Sequence, residues 1–486
     1  MKTKFSIISI IIILSIIFMG TVSPASALPG SNWATGIKLQ NLTSVNAQNV
    51  SINLRDKNGV LQSTISSLSI PAGSSIEVYL PNYTTISNNQ YSAEIASDVP
   101  IGAVATMTNY DYGIADSYNT MEPSLEVSVP YVYHNHNNWA TEIFIQNTTN
   151  TTISGQISLI EGSGSSSDGI VNKNISFSIG SYGVYHLNTN DSAHNDLKWF
   201  IGSAQITASD KISVVSNQVR LMGSGDIPGN VLIQSRGLSA NDLGTRIVIP
   251  SLYKNFSGTS GTWVSGIKLV NPSLESITVD VKFSADSGTF TGIKTVTIPA
   301  KNNSELYLPN VKLNDGKIIP DMFLGSALIE VRNSKSVVAT VQHTNYSGAG
   351  GYGVALGYTG FSQGNSKISL PSLYRWPSGN GIWVSGIKVQ NLGINPVTIT
   401  IDLKSDPDVT AWTGKKSGIT LNPGAAFELY LGANGNLDSG KSVPIPWKGS
   451  AVVTAIGTDA EIVATVLHTN YGRHVANMYT GVGMEP

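Results

Sequence analysis

The 486-residue chain contains no cysteine. That excludes a disulfide framework, a lipobox anchor, a c-type haem attachment and a thiolate zinc site. A chain of this size must therefore hold itself together by burying apolar surface. Charge is scarce too: Asp, Glu, Lys and Arg make up 12% of the residues, and the formal net charge is −2. No basic patch stands out, which argues against nucleic acid as a partner, because neutralising phosphates takes clustered Lys and Arg. No acidic block points to calcium loading. Beyond the first twenty residues there is no long apolar run, so no membrane span is expected in the mature chain. There is no LPxTG-like or basic tail. Solubility must rest on Asn, Ser, Thr and Gly. N-x-S/T triplets such as Asn41-Leu-Thr43, Asn82-Tyr-Thr84 and Asn255-Phe-Ser257 arise by chance in such a composition.

The N-terminus has the three parts of a secretory signal. Lys2 and Lys4 give a positive start, Phe5 to Met19 is almost all Ile, Leu and Phe, and Ala25-Ser26-Ala27 fits the small-x-small cleavage rule. Cleavage after Ala27 is the expectation. Retention as a membrane anchor is the rival, against which stands an apolar stretch short of the roughly 20 residues a span needs.

What the chain does have is a sentence written four times. Trp33 opens WATGIKLQN, Trp139 opens WATEIFIQN, Trp263 opens WVSGIKLVN and Trp383 opens WVSGIKVQN. The openings lie roughly 106–124 residues apart. That is too long for a solenoid unit and suits a whole small domain. In the third repeat, Ile277, Val279, Val281 and Phe283 alternate on one face of a strand. Thr295–Pro299, Glu305–Pro309, Ser326–Val331 and Val337–His343 follow as further short strands broken by Gly, Pro and Asn. No segment of comparable length has a clean 3.6-residue apolar period. Such a pattern describes a sandwich or barrel.

Other landmarks recur: Leu80-Pro81 with Leu308-Pro309, and Leu306-Tyr307-Leu308 with Leu429-Tyr430-Leu431. A Ser-Ala pair stands at Ser92, Ser203, Ser326 and Ser450. Val-Ala-Thr stands at Val104, Val338 and Val463, and His-Thr-Asn-Tyr at His343 and His468, with an echo at Thr108-Asn-Tyr110. The second repeat diverges most, with a Gly/Ser loop from Gly162 to Gly169. The expected organisation is all-β: four tandem Ig-like or jelly-roll-type β-sandwich modules after a cleaved signal peptide. The divisions are 1–27 for the signal, then modules at 28–125, 126–244, 245–365 and 366–486. Short linkers predict a stiff rod or a compact pile rather than beads on a string.

An apolar strand ending in Pro precedes the later modules: Val127-Ser-Val-Pro130, Ile247-Val-Ile-Pro250 and Ile368-Ser-Leu-Pro371. The first module has only Leu28-Pro29 there. The residues that would form its strand fall in the signal, so an unpaired sheet edge is expected, open to strand addition or self-association.

A Leu-Pro stretch, a Trp-x-x-Gly-Ile-x-Val-Gln-Asn strand, a Gly-Ser-Ala strand and a Val-Ala strand together resemble the repeated β-sandwich modules of bacterial secreted and surface proteins of undefined function. The resemblance spans all four repeats. It implies architecture and brings no chemistry with it.

Candidate chemistry is thin. The four tryptophans are expected to plug the ends of their own module cores; the rival is a sugar-stacking platform. His134 and His136 are placed in a solvated loop before Trp139, since no third metal ligand has recognisable spacing. His343 and His468 lack an identifiable nucleophile or carboxylate partner. Gly348 to Gly353 matches G-x-G-x-x-G, yet no helix follows to receive a pyrophosphate, so it reads as a linker. No catalytic, cofactor-binding or metal residue is assigned, and no cofactor is expected. The sequence thus suggests a secreted, non-enzymatic structural or adhesive protein of the cell surface or extracellular matrix, with protein or polysaccharide as partner and self-association open. A carbohydrate-binding array and a divergent extracellular hydrolase are the alternatives.

Overall fold

Period-2 alternation becomes strand nearly everywhere. The computed structural model describes residues 32–484 apart from 88, 163–171, 221–230, 259–260, 288, 346–352, 378–381 and 473–474. The expected leader, most of the Gly/Ser loop and most of the Gly348–Gly353 stretch lie outside the described residues. The chain is nearly all β, and the helical turns are short 3-10 segments such as Leu80–Asn82 and Leu308–Asn310.

The fourth repeat shows the plan. One sheet runs in the order Thr413–Leu421, Val397–Ser405, Trp447–Ile456, Lys367–Arg375. The other runs Ala426–Tyr430, Trp383–Asn391, Ile462–Asn470, Val475–Thr480. All pairs are antiparallel. The inward residues of both sheets, among them Leu370, Ile387, Val389, Ile399, Ile401, Val453 and Val466, form one core. Each such side chain contributes about 1.5–3 kcal/mol when fully buried. Names are convenient for four of these strands: Lys367–Arg375 is the lead strand, Trp383–Asn391 the Trp strand, Trp447–Ile456 the Ser-Ala strand and Val475–Thr480 the axis strand.

The third repeat follows the same order, with Arg246–Lys254 as lead strand, Gly261–Asn271 as Trp strand, Phe323–Val331 as Ser-Ala strand and Val354–Thr359 as axis strand. In the second, one 21-residue strand, Phe200–Arg220, serves both sheets. Its first half pairs with the lead strand Ser124–His134 and its second half with the Trp strand Trp139–Asn147 and the axis strand Val231–Arg236. Each lead strand shifts register at its proline: between Ile249 and Leu252, between Leu370 and Leu373, and opposite Gly202 and Ala204. Proline has no N–H to give the ladder, so it sits in a bulge.

Among the described residues the first repeat is short of one strand. Its Trp-strand sheet is complete, with Ser75–Tyr79, Ala34–Asn41, Ile101–Asn109 and the axis strand Ile114–Asn119. Its second sheet has three strands, Leu61–Ile70, Ala47–Arg55 and Ser92–Ala96, and ends on the Ser-Ala strand. The edge expected from the sequence is there among the described residues. One sequence match needs correction. By pairing register Ala105 lies opposite Ile37, as Val341 lies opposite Ile267, so Val104-Ala105-Thr106 is two residues out of step with Val338-Ala339-Thr340. A three-residue apolar match cannot fix register; backbone pairing does.

The asparagine that closes every Trp motif has one role. Asn41, Asn147, Asn271 and Asn391 are fully buried. Each donates through Nδ2 to the carbonyl four residues on (Val45, Thr151, Glu275, Asn395) and accepts through Oδ1 the N–H two residues on. The turn thus carries its own acceptor and donor, as short polar side chains allow.

The repeats form neither a rod nor a string. The axis strand of the first repeat packs on those of the second and fourth, and that of the third on the same two. Four axis strands surround a common axis, and the last repeat closes onto the first.

Candidate functional site

The Trp strand carries apolar residues inward, such as Ile37 and Leu39, and Lys38 and Gln40 outward. That outward face meets the preceding repeat in the ring, so its polar residues need partners there. Lys38 pairs with Asp406 of the fourth repeat, both 3% exposed or less, and Asp406 also accepts from Ser75 Oγ at 2.6 Å. At the equivalent place Lys388 pairs with Asp286 of the third repeat. In the second repeat Gly162 stands where Asp286 and Asp406 stand. Lys268 lies 5.5 Å over the Tyr131 ring and 3.7 Å from Glu305, and burial pulls its pKa down. The second repeat has Phe144 in the lysine position, stacked on His186 at 4.5 Å.

At the ring's centre lies a buried acid. Asp116, on the axis strand of the first repeat, is 0% exposed. Its carboxylate accepts the backbone N–H groups of Gln234 at 2.6 Å and Met478 at 3.5 Å, from the second and fourth repeats. Edge N–H groups facing the axis have no strand to pair with, and the carboxylate takes that place. Desolvation pushes its pKa well above the usual carboxylate range, opposed by these N–H donors.

The tryptophans do not plug the cores of their own modules, with the partial exception of Trp263. Trp33 packs on Ile114 and on Val219 and Leu232 of the second repeat. Trp139 is clustered with Tyr131, Tyr133 and Ala355 of the third. Trp383 reaches Tyr110 Oη of the first at 3.4 Å. Trp263 lies half-buried against a core that includes Ala476 and Met478 of the fourth. A residue at the start of a strand sits at the sandwich end, between the neighbouring repeat and its own: Trp139 also touches Tyr133 and clusters with Ile233, Trp263 touches Tyr253 and Trp383 touches His468. The four therefore gather on one face of the ring. Tyr112, Tyr307, Tyr430 and Tyr471 lie at the same strand ends and are about 40% exposed, and the hydroxyls of Tyr430 and Tyr471 touch at 3.2 Å.

Three buried histidines are tied into the fold by hydrogen bonds. His134 is buried, with Nδ1 at 2.6 Å from Thr189 O, at the end of a lead strand and not in a solvated loop. The strand runs four residues past its proline, which carries His134 inward; His136 lies in the turn beyond. His343 Nδ1 meets Ser265 Oγ at 2.8 Å, and His468 Nε2 meets Ser372 O at 2.9 Å. His343 is sealed between Tyr253 and Tyr358 and His468 among Tyr374, Trp383 and Tyr479, and desolvation lowers their pKa values to about 3 and about 4. Around them the proline bulge is tied down: Tyr358 Oη and Tyr479 Oη donate to Ser251 O and Ser372 O and accept the same residues' N–H.

An open groove of about 440 Å³ lies where the fourth repeat meets Ala72 and Gly73 of the first. Among its charges, Lys415 pairs with Asp402, Lys404 donates to Ala72 O and Asp438 accepts from Ser417. The buried acids Asp116, Glu142, Glu161 and Asp406 are on separate strands or loops, and Glu142 pairs with His186 at 3.2 Å. Among the described residues no three His, Asp or Glu gather as a metal set, and no helix is long and apolar enough to cross a membrane. Sequence reading missed Lys38, Lys388, Asp286, Asp406 and Asp116. The signal for the first four was a lysine at one position of three Trp motifs and an aspartate at the matching place after the alternating strand. No protein-family model matches the chain, and a search of curated proteins finds no match.

Proposed function

We propose that the protein is a secreted, non-enzymatic structural or adhesive component of the cell surface or extracellular matrix. In this reading each repeat is a sandwich module of the Ig-like or jelly-roll type, divided as the sequence suggests. The observation that carries it is the use of the buried polar groups. Lys38 and Lys388 pair with the preceding repeat in the ring, Asp116 accepts backbone N–H groups of two other repeats, and the strand-end histidines bond to Ser265 Oγ and Ser372 O of their own repeats, which makes them parts of a scaffold. A ring of like modules offers repeated surfaces, and repetition raises avidity without new contacts. Fractionation of producing cells with imaging of the native protein tests it. Recovery at the surface or in the matrix is expected, with no turnover on glycan, ester and peptide panels. Recovery inside the cell, or turnover abolished by a single Asp or Glu substitution, overturns it.

A second reading, a carbohydrate-binding array, is favoured by one observation: the half-exposed tyrosines and tryptophans on one face of the ring. Flat rings at such a site suit sugar faces. Retention on insoluble polysaccharide that drops with Tyr430→Ala and Tyr471→Ala, at unchanged melting temperature, would select it.

A further inference from the structure

The first repeat keeps the fittings for a strand that the described residues do not supply. In the second, third and fourth repeats the lead strand completes the sheet beside the Ser-Ala strand, and its residues reach the next repeat, as Tyr131 and Tyr133, Val248 and Ser369 do. The Ser-Ala pairs there are sealed: Ser203, Ala204, Ser326, Ala327, Ser450 and Ala451 are all buried. In the first repeat Ala93 and Glu94 are exposed and the core-facing Ile95 is half-exposed. Across the same gap Phe144 and Gln146 of the second repeat are half-exposed, whereas Lys38, Gln40, Lys388 and Gln390 are buried.

Two hydroxyls sharpen the case. Ser265 Oγ and Ser385 Oγ accept the N–H of the lead-strand tyrosines Tyr253 and Tyr374 at 2.7 and 2.8 Å, and Thr141 Oγ1 does the same for Tyr133 at 2.9 Å. Thr35 is the counterpart by register, opposite Met107 as Ser265 is opposite His343. Tyr118, opposite Ala105, is the counterpart of Tyr358 and Tyr479, which hold the proline bulge. Neither Thr35 nor Tyr118 has a side-chain hydrogen bond among the described residues, and both are half-exposed.

We propose that this gap is an acceptor slot for a strand donated by another protein, with the pattern apolar, basic, apolar, Pro, Ser, x, Tyr. The three filled slots of the same molecule supply the apolar positions, the Pro and the Tyr, the third and fourth supply the Ser after Pro, and the edge itself supplies the basic position. Aligning the edge on the third repeat puts the donor's second position opposite Glu94, as Val248 lies opposite Leu328. A carboxylate there calls for Lys or Arg. Among the described residues a second copy has no such strand to give, because all three lead strands are already paired in their own sheets. Pairing one edge with its twofold copy would bring the two Glu94 side chains together. The slot exists whatever the outer surface binds, so its test is separate from that of the adhesive reading.

The probe is a synthetic peptide of residues Thr245 to Tyr253, added to protein beginning at Leu28. Saturable binding is expected, with slowed amide exchange over Ser92–Ala96. The Val248→Lys form of the peptide should bind several-fold tighter, and Glu94→Lys in the protein should reverse that preference. Tyr118→Phe and Thr35→Val should each weaken binding roughly three- to tenfold, the worth of one hydrogen bond, with the melting temperature of the free protein unchanged. Absence of protection at saturating peptide, or equal binding by the Tyr118 and Thr35 variants, overturns the proposal. So does self-association of the free protein through this edge, or an edge already protected in a chain that retains residues 21–27.

Discussion

Single residues hold junctions here, and their titration is readable. Asp116→Ala leaves the N–H groups of Gln234 and Met478 without an acceptor at the axis. At about 1–3 kcal/mol for each orphaned group, a loss of roughly 2–5 kcal/mol is expected by calorimetry. His343 and His468 act in the opposite pH sense to Asp116. Their folded pKa values, about 3 and about 4, lie below the usual 6.5. The stability they confer is complete above pH 6.5 and falls by about 1.4 kcal/mol per unit for each as the pH drops towards those values. Asp116, raised, favours the fold below its unfolded value of 3.8 and counts against it as pH rises through its folded pKa. Denaturant melts from pH 7 to pH 4.5 should show the histidine slope, and His343→Gln with His468→Gln should flatten it. An unchanged slope would assign acid sensitivity to other groups.

Elements meet through lysine and aspartate in places where a core would ordinarily be apolar. Lys38→Met strands Asp406 without its cation, a loss of about 3–5 kcal/mol, while Lys38→Met with Asp406→Leu should recover most of it. Calorimetry of both variants decides; a double variant as weak as the single would mean that Ser75 and the surrounding backbone depend on the charge. The strands themselves were legible. Ile277 to Phe283 announced its buried face by alternation, and the proline of each lead strand announced a break. The gap beside the first repeat's Ser-Ala strand among the described residues was legible as well, because the three later repeats showed what belongs there. The ends of the elements were harder. A tryptophan beside an alternating strand looks like a core residue whichever body it touches, and His134 sits beyond a proline that suggested the strand had already stopped. Nothing local distinguishes a lysine facing water from one facing an aspartate far along the chain.

At the scale of the molecule, four repeats share an axis, and contacts between repeats join every core to its neighbours. Trp263→Ala should therefore lower a single shared transition by about 2–4 kcal/mol, rather than melt the third repeat alone. Two resolved calorimetric peaks would show that the repeats unfold independently. The ring closes through Lys38 and Asp406, Gln40 and Ser369, and Asn119 and Thr480. These contacts join the opening and the final stretches of the sequence. Such distant pairings are slow to form, because loop closure must precede any gain from them. The part of the chain made first is thus finished last: the earliest repeat waits, half-dressed, for the final one to emerge. A chain stopped after residue 365 should behave as an expanded, dye-binding species by light scattering and ANS fluorescence; a compact, inert fragment would contradict this. The same closure works as a completeness check, since the outward Lys38 and Gln40 face of the first repeat is covered only once the last repeat is in place.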